Sequence, residues 1–358
     1  MRKKVAVGLS GGVDSAVSAF LLKRKGWDVL GVTLKFSIPG QQGLNKINLE
    51  RAKNICSQLD ISHSVIEASD IFTEKIVNYF VESYTCGLTP NPCAFCNRFI
   101  KFGFLAEKVK SMGIDYLATG HYARLVKYKG NYFLKSARDK NKSQEYFLSL
   151  IRPAVLTSAI FPLSGYTKKK VKSLARKNHL VSGPGKESQD VCFIQDGSYK
   201  QFIQNRLPEA DDSSGNICHI SGKTLGQHAG IHCFTLGQRS GLGISWKEPL
   251  YVVDIDPATK TVLVGEKNYL FKDTFKACGL NWFVHPQTPL FKRLFNKLTV
   301  KIRYNSLAYP CRIILEKDTA KVSLSDCVSA ITPGQVAVFY YKDIVVGAGV
   351  ISRDARPF

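Results

Sequence analysis

Carboxylates, long apolar runs and repeats are scarce in this chain of 358 residues. No apolar run approaches the ~18 residues that a membrane helix needs. The N-terminal Met1-Arg2-Lys3-Lys4 resembles the basic start of a signal peptide. The apolar stretch behind it, Val5 to Leu9, stops at Ser10-Gly11-Gly12, far short of a secretory core. A cytoplasmic protein with no membrane partner is therefore expected. In that compartment the ten cysteines are free thiols, metal ligands or catalysts rather than a disulfide framework. Cys56, Cys278, Cys311 and Cys327 stand singly among apolar residues and read as small core residues. Only Cys93 and Cys96 form a Cys-x-x-Cys pair, too few ligands for a structural zinc site. There is no internal repeat and no low-complexity segment.

Disorder is excluded as well, because 44% of residues are hydrophobic and mean hydropathy is −0.08. The length suits two or three domains. The shortage of acid leaves 50 Lys and Arg against 28 Asp and Glu, a net charge of +22. Residues 1–200 hold +16 of it, and residues 123–177 hold +12, with only Asp139 and Glu145 opposing. A solvated lysine face accounts for such a cluster, and so does a footprint for a polyanion such as nucleic acid.

The first part alternates strand and helix patterns. Strands are expected at residues 4–9, 29–36, 62–68 and 114–119. Helices are expected at 13–25, at 47–59 with Ile47, Ala52, Ile55, Cys56 and Leu59 on one face, and at 71–84, 98–112 and 167–179. This alternation implies an α/β fold with a doubly wound parallel sheet, whose ligands bind beyond the carboxyl ends of the strands. After about residue 205 the helical pattern fades, and residues 211–216 read as a linker. Short strands with turn punctuation follow, as in small antiparallel sheets or barrels. The expected domains are 1–205, 206–270 and 271–358.

Gly8-Leu9-Ser10-Gly11-Gly12-Val13-Asp14-Ser15 lies between a strand and a helix. It lacks the Gly-Lys-Ser/Thr of a Walker loop and the spacing of dinucleotide folds. Two adjacent glycines let backbone N–H groups wrap a phosphate at the helix N-terminus. Ser10 and Ser15 add donors, and Asp14 can hold Mg²⁺. Thr89-Pro90-Asn91-Pro92-Cys93-Ala94-Phe95-Cys96 reads as a proline-stiffened loop before a helix. A helix dipole there would lower the Cys96 thiol pKa. Far downstream, Lys186-Glu187-Ser188-Gln189-Asp190-Val191-Cys192-Phe193-Ile194 offers another cysteine in a polar setting.

Ser-Gly-Gly-x-Asp-Ser after the first strand resembles the PP-loop of the ATP pyrophosphatases, the adenine nucleotide alpha hydrolase-like fold. The two cysteine segments narrow this. So do Gly120-His121-Tyr122-Ala123-Arg124, Lys142-Ser143-Gln144-Glu145-Tyr146-Phe147-Leu148, Thr235 to Gly243, Arg303-Tyr304 and Thr332 to Tyr340. Together, in order and over nearly the whole chain, they resemble the bacterial tRNA-specific 2-thiouridylases, the MnmA family.

The resemblance implies a tRNA-uridine 2-sulfurtransferase acting with ATP and Mg²⁺ on the wobble uridine of tRNAs for Lys, Glu and Gln. The partners would be tRNA and a cysteine desulfurase or sulfur-relay protein. Gly8, Leu9, Ser10, Gly11, Gly12, Val13, Asp14, Ser15, Leu34 and Gly120 would contact ATP, with Asp14 also catalytic. Asn91, Pro92 and Cys93 would touch the target base, Cys96 would be the nucleophile, and Cys192 would carry the persulfide. His121, Lys142, Ser143, Gln144, Arg303, Tyr304 and Gln335 would contact tRNA, as would the lysine-rich helix at 167–179. The last domain would be a β-barrel that touches tRNA. Many members have Asp where this chain has Cys93. Cys93, Cys96 and Cys192 could also ligate three irons of a [4Fe–4S] cluster, as related thiolases do. Two other readings stand beside the thiolase: a PP-loop amidating ligase, which would need no thiols, and an RNA-binding protein with a degenerate nucleotide site.

Overall fold

A computed structural model describes residues 2–36, 42–180, 191–194, 198–208 and 214–353. Residues 186–190 and part of the expected linker at 211–216 lie outside it.

The chain begins β1 (Lys4–Gly8), α1 (Val13–Arg24), β2 (Asp28–Lys35), α2 (Gln42–Gln58) and β3 (Ser62–Glu67). Two compound helices follow. In the first, α3 (Ser69–Phe72) passes through π-helical Thr73–Asn78 into α4 (Tyr79–Thr85). In the second, α5 (Pro92–Phe95) passes through π-helical Cys96–Leu105 into α6 (Ala106–Ser111). Then come β4 (Tyr116–Ala118), β5 (Ala123–Tyr128), β6 (Asn131–Ser136), α7 (Glu145–Leu148), β7 (Ala159–Ile160), α8 (Lys168–Lys177) and α9 (Tyr199–Gln204).

Strands β3-β2-β1-β4-β7 form a parallel sheet in that spatial order. Val5, Ala6 and Val7 of β1 are wholly buried, as a strand covered on both faces must be. The chain winds one way from β1 to β3 and the other way to β4, so the switch point lies between β1 and β4. The loop after β1 and the segment Thr119–His121 after β4 therefore share one crevice.

Beyond α9 lie β8 (Gly215–His219), β9 (Thr224–His228), β10 (Tyr251–Asp256) and β11 (Thr261–Gly265), a sheet ordered β10-β11-β8-β9. Last come β12 (Phe271–Trp282), α10 (Pro289–Phe295), β13 (Thr299–Lys301), β14 (Tyr309–Glu316), β15 (Thr319–Ser329), β16 (Val336–Tyr341) and β17 (Ile344–Ser352). Their six strands run β12-β15-β14-β13-β16-β17, and β12 pairs with β17 to close a barrel. Closure pairs the first and last strands of the barrel with each other instead of leaving both as open edges.

Periodicity did not reveal how the first domain reaches the barrel. The β5–β6 hairpin leaves the parallel sheet and adds to the barrel at Ile344↔Lys135 and Val345↔Leu134. Tyr146 Oη donates to the carbonyl of Val336 at 2.7 Å. Asn281 Nδ2 donates to the carbonyls of Ser149 and Ile151 at 2.8 and 2.9 Å. One apolar cluster runs through Phe102, Leu105 and Leu148 of the first part to Val300, Val336 and Phe339 of the barrel.

Four expectations need correction. Ile47 is exposed, whereas Ala52, Ile55 and Cys56 of α2 and Leu59 just beyond it are buried. Cys327 is exposed and Cys311 half-buried, so of the four supposed core thiols only Cys56 and Cys278 are buried. The helix expected from residue 98 starts at Pro92, because Asn91 caps it by accepting from Ala94 N at 3.2 Å and proline suits the first turn. The two π-helical stretches were expected as α-helix, since a few turns of apolar residues do not distinguish 3.6 residues per turn from a wider coil.

Gly347 pairs with Trp282 across β17 and β12, and a Cβ there would stand 2.1 Å from the indole Cε3. The indole stacks on Phe339 at 5.3 Å and meets Phe291 edge-on at 5.1 Å, so a methyl group at Gly347 must displace a packed ring. Gly347→Ala is expected to destabilise the protein by about 1–3 kcal/mol, read from urea unfolding. An unchanged midpoint would show that the barrel core accommodates the methyl group.

Candidate active site

The Gly-Gly loop is shaped by its own hydroxyls and by two close approaches. Ser15 Oγ accepts from Ser10 N at 3.2 Å and donates to the carbonyl of Gly12 at 3.0 Å, drawing the loop onto the first turn of α1. Gly11 has φ +72°, and a Cβ on it would stand 2.9 Å from the carbonyl oxygen of Asn48. A Cβ on Gly120 would lie 2.9 Å from both the Asp14 carbonyl carbon and Ser15 N. Glycine is thus required where the end of β4 abuts the loop. Leu34 is half-buried near the end of β2.

Asp14 is held from two sides. Tyr122 Oη donates to its Oδ1 at 2.8 Å, and Lys168 Nζ pairs with its Oδ2 at 2.7 Å. Lys168 was expected on the solvated face of the lysine helix; instead it turns into the crevice and is only 14% exposed. The rest of α8 follows expectation: Val171 and Ala175 are buried while Lys169, Lys170, Arg176 and Lys177 face outward.

The thiols come together by different means. Phe193 is 2% exposed and packs edge-on against Phe72 and Phe80 at 5.7 and 5.3 Å. This anchor leaves the neighbouring Cys192 exposed. Cys93 is exposed at the start of α5, and Cys96 sits half-buried at the start of the π-helical stretch. Two of the thiols lie close enough to raise the pKa of another: Cys192 and Cys93 act on Cys96, and Cys93 acts on Cys192. Desolvation by the surrounding atoms is the larger cause: it pushes half-buried Cys96 up to about 12 and also raises Cys93 and Cys192, although both residues keep part of their surface in solvent. The lowering expected for a thiol just before a helix is not found: Cys96 lies within the helix that starts at Pro92, and desolvation raises it.

Sequence reasoning missed Lys101. It is the charge that opposes burial at all three cysteines, lowering each of them. Its Nζ lies 3.4 Å from His121 Nε2. His121 is buried, with Nδ1 2.8 Å from Thr119 Oγ1, and burial and Lys101 push its pKa well below the usual imidazole range. Lys101 stands five positions after Cys96, a spacing that signals nothing on an α-helix.

The remaining expected residues divide. Cys93 faces outward, whereas Asn91 is used as the cap and Pro92 is buried. Lys142 is exposed, but Ser143 is buried, donating to Glu145 and accepting from Ala137 N at 2.8 Å. Gln144 Oε1 accepts from Tyr122 N at 2.9 Å, bracing the crevice. Arg303 is exposed, with its guanidinium donating to the carbonyls of Ser329 and Ala330. The Tyr304 ring rests against Phe147 at 4.6 Å. Gln335 Nε2 donates to the carbonyls of Thr89 and Pro90 at 2.9 and 3.3 Å, pinning the cysteine segment to the barrel. His121 and Ser143 are thus buried and Gln335 half-buried, each engaged by partners within the protein. Among the described residues no group of three or more His, Cys, Asp or Glu side chains is arranged to hold a metal ion.

A Gly-Gly loop at the switch point of a parallel sheet, closed over a helix N-terminus, defines an ATP-utilising domain of the PP-loop class. The comparisons agree: the tRNA methyl transferase HUP domain family matches residues 3–196, its PRC-barrel domain matches 200–266, and the aminomethyltransferase β-barrel domain matches 272–351. Over 98% of its length the chain is 41% identical to the tRNA-specific 2-thiouridylase MnmA of Syntrophotalea carbinolica, covering 99% of that protein. It is 40% identical to those of Aquifex aeolicus and Carboxydothermus hydrogenoformans, over 99% and 98% of its length and 100% and 98% of theirs. The chain belongs to the tRNA-specific 2-thiouridylase family.

Gly120→Ala tests the crevice. The displaced loop is expected to weaken ATP binding at least about tenfold, since about 1.4 kcal/mol of distortion suffices. Calorimetric titration that returns an unchanged Kd would show that β4 does not shape the nucleotide site.

Proposed function

We propose that this protein is a tRNA-uridine 2-sulfurtransferase that replaces O2 of the wobble uridine in tRNAs for Lys, Glu and Gln with sulfur, in the cytoplasm. The observation that carries this reading is the convergence of Cys96 and Cys192 from segments almost a hundred residues apart, in a chain that also has an intact PP-loop. Two of the matching family descriptions speak of methyl transfer. Clustered thiols beside an ATP loop are the apparatus of sulfur transfer, which needs an activated oxygen and a sulfur nucleophile.

Residues 8–15, Leu34 and Gly120 form the ATP site, with Asp14 and Lys168 at the phosphates; Asp14 would hold Mg²⁺, which would neutralise charge on the departing pyrophosphate. The uridine O2 attacks the α-phosphorus and pyrophosphate leaves, so the poor oxide leaving group becomes AMP. The terminal sulfur of a Cys192 persulfide then attacks C2, and AMP departs with the C–O bonding pair. The Cys96 thiolate attacks Cys192 Sγ, breaking the S–S bond, freeing the thiocarbonyl and leaving a Cys96–Cys192 disulfide. An external dithiol returns the two electrons. A cysteine desulfurase or relay protein reloads Cys192, and its exposure suits delivery from outside. Cys93, also exposed, faces the target base in place of the Asp common in the family.

The base must leave its stack to reach these thiols. The outward lysines of α8, with Lys142 and Arg303, supply phosphate contacts that position the tRNA. The chain divides functionally near residues 205 and 270, the first part catalytic and the barrel a tRNA platform.

The direct assay supplies unmodified tRNA for Glu with ATP, Mg²⁺, cysteine and a desulfurase, and reads 2-thiouridine by mass spectrometry. Cys192→Ser is expected to abolish product while leaving tRNA affinity and pyrophosphate release intact. Product at the normal rate from that variant would remove Cys192 as the carrier. Replacing Lys169, Lys170 and Lys177 with Gln is expected to lower the slope of log K against log salt by about 0.9 for each phosphate that is no longer neutralised. An unchanged slope would take α8 out of the footprint.

A further inference from the structure

Burial leaves Cys96 protonated at neutral pH, with a pKa of about 12, yet resolving a persulfide requires a thiolate. Something in the site must carry negative charge on sulfur. The groups that face Cys96 are Cys93 at the start of α5, Cys192 beside the Phe193 anchor, and Lys101 on its own helix. Arg98, on the same helix, faces Arg152 instead.

The helix geometry explains why Lys101 serves. On an α-helix, at about 100° per residue, residue i+5 points about 140° away from residue i. Over Cys96–Leu105 the chain is π-helical, and its hydrogen bonds join i to i+5. One wide turn therefore returns Lys101 to the side of Cys96.

His121 then fixes the ammonium. A lysine ammonium has only donors, so Nζ donates and His121 Nε2 accepts. The remaining imidazole proton is on Nδ1 and goes to Thr119 Oγ1. A neutral ring in this tautomer orients the ammonium without adding a second positive charge. Thr119 and His121 follow β4 directly, next to the Gly120 contact with the ATP loop. Lys101 thus stands between the nucleotide crevice and the thiols.

We propose that Lys101 is the counter-ion of the sulfur site, its ammonium held by neutral His121 and facing the anion as sulfur passes from Cys192 to the base and Cys96 closes the disulfide. His121 is the positioning residue. The inference deepens the sulfurtransferase reading and rests on it.

The test is the pH dependence of iodoacetamide alkylation at Cys93, Cys96 and Cys192, followed by peptide mass spectrometry, in the full-length protein and in Lys101→Gln and Lys101→Arg. Glutamine keeps an N–H for His121, so the fold is retained while the charge is lost. In Lys101→Gln the alkylation midpoints are expected to rise by about one pH unit, slowing the reaction about tenfold at fixed neutral pH. Lys101→Arg is expected to restore them, and exposed Cys86 and Cys327 serve as controls that stay constant. Thiolation kcat falls with the midpoints while the KM for ATP holds. Midpoints unmoved in Lys101→Gln, from a wild type that thiolates tRNA, overturn the counter-ion role alone. A wild type that makes no 2-thiouridine but shows the shift overturns the sulfurtransferase reading and leaves Lys101 as the partner of the thiols.

Discussion

The barrel's grip on the cysteine segment is the constraint from which the rest of the site follows. Gln335 bonds the carbonyls of Thr89 and Pro90, and the carbonyl of Pro333 accepts from Thr89 N at 2.9 Å. The backbones touch so closely that a Cβ on Gly334 would stand 2.8 Å from the Thr89 carbonyl oxygen. The segment that starts the cysteine helix is thereby set from outside its own domain. The β5–β6 hairpin and the shared apolar cluster hold the two bodies in register. Separate domains joined by a linker would leave the thiols free to drift relative to the ATP loop. A reaction that adenylates a base and then attacks it with sulfur needs both at one place.

Within that frame the site sets opposing charges against burial. Asp14 has Lys168 and Tyr122, and the thiols have Lys101, itself tied to a neutral histidine. The crevice is otherwise strongly basic, as a site for ATP and RNA phosphates should be. Away from the crevice, Glu145 takes bonds from Ser136, Ser143 and Tyr340, deep between domain and barrel. Polar side chains buried this way stabilise the junction only because each finds a partner.

The order of strands, the Gly-Gly loop and the two cysteine segments were legible because each rests on local chemistry. Buried parallel strands read as unbroken apolar runs, a phosphate loop needs glycine, and a cysteine outside an apolar run stands out. Asp14, Cys93, Cys96, Cys192 and Gly120 could all be singled out on those grounds. The inward turn of His121, Ser143 and Gln335 could not, since a polar residue in a motif looks the same whether it faces RNA or a buried carbonyl. Lys168 was hidden among lysines identical to it in type.

Sequence by itself determined the class of fold, the ATP loop and the presence of two cysteine segments in polar settings, because periodicity and residue type act over a few positions. Only the tertiary structure decided the chemical state of those residues. Burial raised the Cys96 thiol where a helix start would have lowered it, a π-helical turn brought Lys101 round to it, and a lysine 154 positions from Asp14 became its ion-pair partner. Desolvation and Coulomb energy depend on distance in space, and no pattern along the chain encodes that distance until the barrel has closed on the catalytic domain.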